Sequence, residues 1–179
     1  CPHCNSPVGA MENIPVLSYL VLRGRCRSCK AAIAKRYPVI EAITALLSIW
    51  VAWKFDVSIE TAAALILTWS LVALTVIDLD HQLLPDSITL PLIWLGLALA
   101  LVPVFADLRA SVIGALVGYL SLRGFYEIFR LITGKEGMGH GDFKLFAAFG
   151  AWLGWQSLLL IIVLSSLVGS IVGITMILF

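Results

Sequence analysis

Apolar residues form long uninterrupted runs after residue 37 and no such run before it. The runs lie at about residues 38–54, 59–77, 87–105, 109–132, 142–154 and 156–179. A helix needs roughly 20 apolar residues to cross the hydrocarbon core, so most of these runs are of spanning length. The run at 142–154 is shorter, and Gly150 and Gly154 within it point to close helix packing or a tight turn beside Trp155. Trp50, Trp53, Trp69, Trp94, Trp152 and Trp155 stand mostly near run ends and read as interfacial anchors or packing residues. The pattern predicts an all-α polytopic membrane helix bundle over 38–179, with a small polar domain at 1–37.

Composition agrees with a membrane protein: 60% of residues are hydrophobic and 13% charged, against about 25% charged in a soluble domain. Mean hydropathy is +1.00. Lipid is therefore an expected partner. A net charge of +1 without a basic surface gives no footprint for nucleic acid. The chain starts at Cys1 and stops at Phe179 inside an apolar run, so both ends are expected to be incomplete and the span count is left open.

The segment 1–37 holds Cys1, Cys4, Cys26 and Cys29. Two Cys-x-x-Cys pairs separated by 21 residues have the spacing with which two turns offer four thiolates to one tetrahedral zinc. Disulfides are the alternative in an oxidising compartment. Arg23, Arg25, Arg27, Lys30, Lys35 and Arg36 stand just before the first run, and such clusters stay in the cytoplasm, where thiols remain reduced. Structural Zn2+ on a cytoplasmic domain is the expectation.

With 1–37 inside, the threading puts 78–86 and 133–141 on the same cytoplasmic face. Asp78 closes the second run, and Asp142 opens the fifth within Gly137-Met138-Gly139-His140-Gly141-Asp142-Phe143-Lys144. Both carboxylates then lie at one depth on one side. A carboxylate beside hydrocarbon is costly unless it works, and two within reach cannot both ionise easily, so one keeps its proton. That pair suits aspartic hydrolysis, the anion activating water and the acid polarising the scissile carbonyl. Helix ends alone would make Asp142, at a helix start, the anion and Asp78, at a helix end, the acid. Gly139 and Gly141 allow close approach of another backbone.

The neighbouring residues have plainer readings. Asp86 or Ser87 reads as a helix N-cap; Asp80 as a solvated charge or an attractor of basic substrate. Glu41 early in a span points to a bundle interior or water, and Glu127 to ion pairing with Arg123 or Arg130.

Taken together, Cys1-Pro2-His3-Cys4, Cys26-Arg27-Ser28-Cys29, Asn13 to Leu20, Arg36 to Glu41, Asp78 to Asp86 and Gly137 to Lys144 resemble the type IV prepilin peptidases. These are bacterial leader peptidases among the Gly-x-Gly-Asp membrane aspartic proteases. The resemblance implies catalytic Asp78 and Asp142, zinc on the four cysteines, and supporting roles near Glu41, Asp80, Asp86, Gly139, Gly141 and Lys144. It implies a multi-pass enzyme of the bacterial inner membrane with its site facing the cytoplasm. The substrates would be prepilins or pseudopilins, cut after a glycine just before the apolar segment so that a short basic leader is removed. Many members also methylate the new N-terminus with S-adenosylmethionine, a role the resemblance assigns to no residue here. The rivals are a presenilin-like protease, which lacks paired knuckles; a proton-coupled transporter, which needs mid-span acids; and a zinc-dependent scaffold indifferent to both aspartates.

Overall fold

A computed structural model describes residues 4–7, 9–135 and 137–178. A 3-10 turn at Ala10–Asn13 precedes seven helices: α1 Leu17–Val21, α2 Arg36–Phe55, α3 Ile59–His81, α4 Asp86–Leu99, α5 Leu108–Thr133, α6 His140–Leu153 and α7 Leu158–Leu178, with a second 3-10 turn at Trp155–Ser157 before α7. No strand forms among the described residues; an isolated bridge joins Arg25 and Ala32. Among the described residues, four helices are long and apolar enough to cross a membrane: α2, α3, α5 and the stretch Trp155–Leu178. The chain divides into two compact units, Cys1–Val72 and Ala73–Phe179.

In the first unit, Arg23 and Gly24 both take left-handed backbone, at φ 52° and 69°, and turn the chain after α1 into a knuckle. Ile33 N–H donates to the Gly24 carbonyl at 2.8 Å and Cys26 N–H to that of Ala31 at 2.8 Å. Phe55 ends α2 because Asp56 is left-handed at φ 52°. Ser58 then starts α3, its hydroxyl accepting from Thr61 N–H at 3.3 Å. The Trp69 indole donates to Ser48 Oγ at 3.0 Å, tying α3 to α2.

The second unit is built round α6, whose buried residues are Phe143, Phe146, Ala147, Ala148, Gly150, Ala151 and Trp152. Small residues make this possible. A Cβ on Gly150 would fall 2.1 Å from the Gly114 carbonyl oxygen, and one on Gly118 would fall 2.8 Å from that of Phe146. The backbones of α5 and α6 therefore nearly touch, as small-residue crossings in membranes allow. On the other flank Gly96 of α4 leaves room for Trp152, whose indole donates to the Leu92 carbonyl at 2.8 Å. Trp152 is thus a core residue, whereas Trp50, Trp53 and Trp94 are well exposed.

In the second unit, α4 and α6 are shorter than spanning length, at 14 residues each. The run at 87–105 stops being helical at Leu99, since Pro103, four residues on, has no N–H for the Leu99 carbonyl and its ring would clash with that carbonyl in a continued helix. Asp107 restarts the chain by accepting from Ala110 N–H at 3.1 Å, capping α5. At the other end of α5, Gly134 is left-handed at φ 68° and its N–H caps the Arg130 carbonyl at 2.8 Å.

Candidate active site

The site lies wholly in the second unit. α3 ends in a turn whose Gln82 is left-handed at φ 49°, and its N–H donates to the Asp78 carbonyl at 2.8 Å. The chain then folds back through Leu83-Leu84-Pro85 into α4. Asp86 is the first residue of α4, after an extended Pro85, and makes no side-chain cap. The N-cap expectation is thereby corrected for a reason remote in sequence. Lys144 Nζ takes both Asp86 carboxylate oxygens, at 2.6 and 2.7 Å.

α6 begins after an extended Gly139, with His140, Gly141 and Asp142 forming its first turn. Asp142, the third of them, folds its carboxylate back toward Gly139 N–H, as an acidic residue does at this place in a capping box. Gly141 is required by contact: a Cβ there would lie 2.6 Å from Leu84 Cβ and 3.1 Å from the Leu84 carbonyl oxygen. The start of α6 thus rests directly on the loop between α3 and α4. His140 is a packing residue, its ring 5.4 Å from Tyr126 and 5.7 Å from Phe143.

Between these pieces opens a cleft of about 1100 Å³. Asp78 and Asp142 both line it, with Gln82, Asp86, Met138 and Lys144 among the other walls. The two carboxylates are unlike. Asp78 is exposed, and Asp142 is partly buried. Burial first, and then the charge of Asp78, push the Asp142 carboxyl above the ordinary aspartate value, against the lowering from Gly139 N–H. Asp142 therefore holds its proton more strongly than its helix start alone predicts. Of the other expected residues, Gly139, Gly141, Asp86 and Lys144 line the cleft, while exposed Asp80 is not among its walls. Gln82 was not singled out in the sequence; its place in the Asp78–Asp86 turn is the signal that marks it.

Glu41 belongs to the first unit, where its Oε2 accepts from Val16 N–H at 2.8 Å. There too lies the cysteine cluster. The Sγ atoms of Cys4, Cys26 and Cys29 all lie within 4.8 Å of one another; Cys1 falls outside the described residues. The segment before α1 is drawn to the second knuckle by Ser6–Ser28, 3.0 Å between hydroxyls, and by Arg27 donating to Glu12 at 3.0 Å. Backbone N–H groups of Cys29 and Ser28 aim at the Cys26 sulfur and lower its thiol to about 7. A tetrahedral zinc with bonds of about 2.3 Å sets its sulfurs roughly 3.8 Å apart, so three thiols this close, one of them readily ionised, fit a metal ion.

A polytopic helical membrane protein with two carboxylates facing one cleft is the class these features define. Comparison with known proteins narrows it. The model of the type IV leader peptidase family matches residues 65–174, and that of the bacterial peptidase A24 N-terminal domain matches residues 1–55. The chain belongs to the type IV leader peptidase family. Relatives named prepilin leader peptidase/N-methyltransferase include those of Aeromonas hydrophila, 60% identical over 178 residues covering 99% of this chain and 61% of the relative, and Pseudomonas aeruginosa, 56% identical over 176 residues covering 98% and 61%. That of Legionella pneumophila is 50% identical over 174 residues, covering 97% and 61%. The chain thus spans about three fifths of the length of these relatives. No solved structure matches it significantly.

Proposed function

We propose that this chain carries the peptidase site of a membrane aspartic endopeptidase that removes the basic leader from prepilins or pseudopilins. The observation that carries the reading is the meeting of Asp78 and Asp142 on the walls of one open cleft. The chemistry follows from their unequal surroundings. Asp78, in water, takes a proton from the attacking water as its oxygen bonds to the scissile carbonyl carbon. Asp142, holding its proton, donates to the carbonyl oxygen as negative charge develops there. Collapse of the tetrahedral intermediate breaks the C–N bond, and the proton on Asp78 passes to the departing amine.

Gly137 and Gly141 make room for Phe129 and Leu84, while at Gly139 the nearest atom to an added Cβ would be Asp142 Oδ2 at 3.4 Å, so the wall is low there and an extended substrate backbone can approach the carboxylates. Asp86 takes no part as a free charge for a basic leader, because Lys144 neutralises it. Cys4, Cys26 and Cys29, with Cys1 as the fourth ligand, hold Zn2+, which fixes the fold of the N-terminal segment. The basic flank of α2 orients the chain with that segment and the cleft toward the cytoplasm of a bacterial inner membrane. N-methylation of the new N-terminus from S-adenosylmethionine is the second activity proposed, on the strength of the relatives' names.

The test is leader cleavage in membranes bearing the full-length protein, with a pilin-like precursor as substrate. Asp78→Asn and Asp142→Asn each abolish processing while still inserting. Normal cleavage by both variants would return the site to a scaffold or relay role.

A further inference from the structure

Beyond that reading, the first unit carries an apolar face that the peptidase chemistry does not use. Ile14, Leu17, Leu20 and Val21 are 43%, 58%, 63% and 80% exposed, and their spacing gathers them on one side of α1. A tight contact fixes their height. Val16, just before α1, has φ 62°, a costly conformation for a β-branched residue, and its N–H is held by Glu41 Oε2 at 2.8 Å. Glu41 is the sixth residue of α2, about 8 Å along the axis from Arg36. Helical side chains lean toward the N-terminus, so the carboxylate meets Val16 between the levels of Glu41 and Arg36. The 20 residues of α2 make about 30 Å, the full thickness of the hydrocarbon core. That helix has no length to spare, so Arg36 marks the edge of the hydrocarbon core and Glu41 lies within about 8 Å of that edge.

The apolar face is therefore pinned at the depth where acyl chains give way to headgroups. Beside it, Arg23, Arg25 and Lys30 line a pocket of about 460 Å³ with Leu22 and Cys26. Apolar side chains next to clustered cations are what an anionic lipid interface attracts.

We infer that residues 14–21 are a membrane-interface element, with Ile14, Leu17, Leu20 and Val21 in the acyl boundary and Arg23, Arg25 and Lys30 on anionic phospholipid headgroups. Glu41 sets the depth of this element. The cysteine knuckle that follows is then held against the bilayer.

The experiment places an environment-sensitive fluorescent amino acid at Leu20 of the full-length protein in phosphatidylglycerol/phosphatidylethanolamine vesicles, with the same probe at exposed Asn5 as reference. At Leu20 the emission is shifted to the blue of the reference, quenched by lipids carrying shallow nitroxides and shielded from aqueous iodide. Replacing phosphatidylglycerol by phosphatidylcholine moves it back to the red. Glu41→Ala loses the lipid quenching, and Glu41→Gln keeps it, because an amide oxygen accepts the same N–H. Quenching at Leu20 by iodide and not by lipid, in the otherwise unaltered chain, overturns the inference. So does shielding from both quenchers that vanishes as protein is diluted into lipid, since that assigns the face to a second copy of the chain.

Discussion

Gly141→Ala tests how closely the site depends on the seating of α6. The new Cβ would stand 2.6 Å from Leu84 Cβ, about 1 Å inside the 3.5–4.0 Å at which carbon atoms rest. Leu84 Cβ is the root of its side chain and cannot rotate away, so the backbone of the turn or of α6 must give by about that distance. Asp142 is the next residue and Asp78 lies six residues before Leu84, so the displacement falls directly on the space between the carboxylates. A misplacement of about 1 Å costs on the order of 10²-fold in rate, or about 2.7 kcal/mol of transition-state stabilisation. Folding should suffer less, because Ala regains up to about 1 kcal/mol of helix propensity over Gly against an overpacking cost of about 1–3 kcal/mol. Initial cleavage rates at saturating precursor, measured beside a thermal melt in detergent, separate the two. Gly124→Ala is the control, since a Cβ there meets nothing within 4 Å, and it should cleave at the wild-type rate. Wild-type turnover by Gly141→Ala would refute the reasoning.

Other expectations concern charge and metal. Asp78→Asn removes a negative neighbour that holds the proton on Asp142, so losing that proton becomes easier and the Asp142 titration moves to lower pH; carbon-13 NMR of labelled aspartate reads the shift, and an unmoved or rising value would count against it. The Asp86–Lys144 pair has side chains 55% and 25% exposed, so a double-mutant cycle of Asp86→Ala and Lys144→Ala should give a coupling of roughly 0.2–1 kcal/mol in stability, and the exchange Asp86→Lys with Lys144→Asp should recover part of any lost cleavage. Replacing Cys26 by Ser should remove most bound metal from the purified protein, seen by elemental analysis, whereas Ser28→Ala should retain it.

The apolar runs, and the placing of Asp78 and Asp142 on one cleft, could be read from the chain because both depend on local composition: a run of apolar residues after a charged loop has few alternatives to a membrane helix. What escaped reading depends on partners distant in sequence. Asp86 looked like a cap until Lys144, 58 residues on, took its carboxylate. Glu41 looked like a bundle or water-facing acid, and it holds a backbone N–H 25 residues earlier. The surroundings of Asp142 were hidden for a similar reason. Helix ends favour an ionised Asp142, but burial by the rest of the fold opposes it more strongly. The early stop of α4 was the exception, since Pro103 was there to be weighed.

α5 and α6 differ in length, at 26 and 14 residues. Tyr126 of α5 stands level with His140 at the start of α6, so α5 continues for seven residues beyond the cleft, about 10 Å. Were the end of α5 to lie among lipid headgroups, the carboxylates would sit at the foot of a step cut into the edge of the bilayer, wet from above and flanked by acyl chains. A substrate helix diffusing in the plane would meet them sideways, losing only a few residues of helix to be cut and never leaving the membrane. Turnover would then depend on how deep the surrounding lipid is, and longer acyl chains would drown the step.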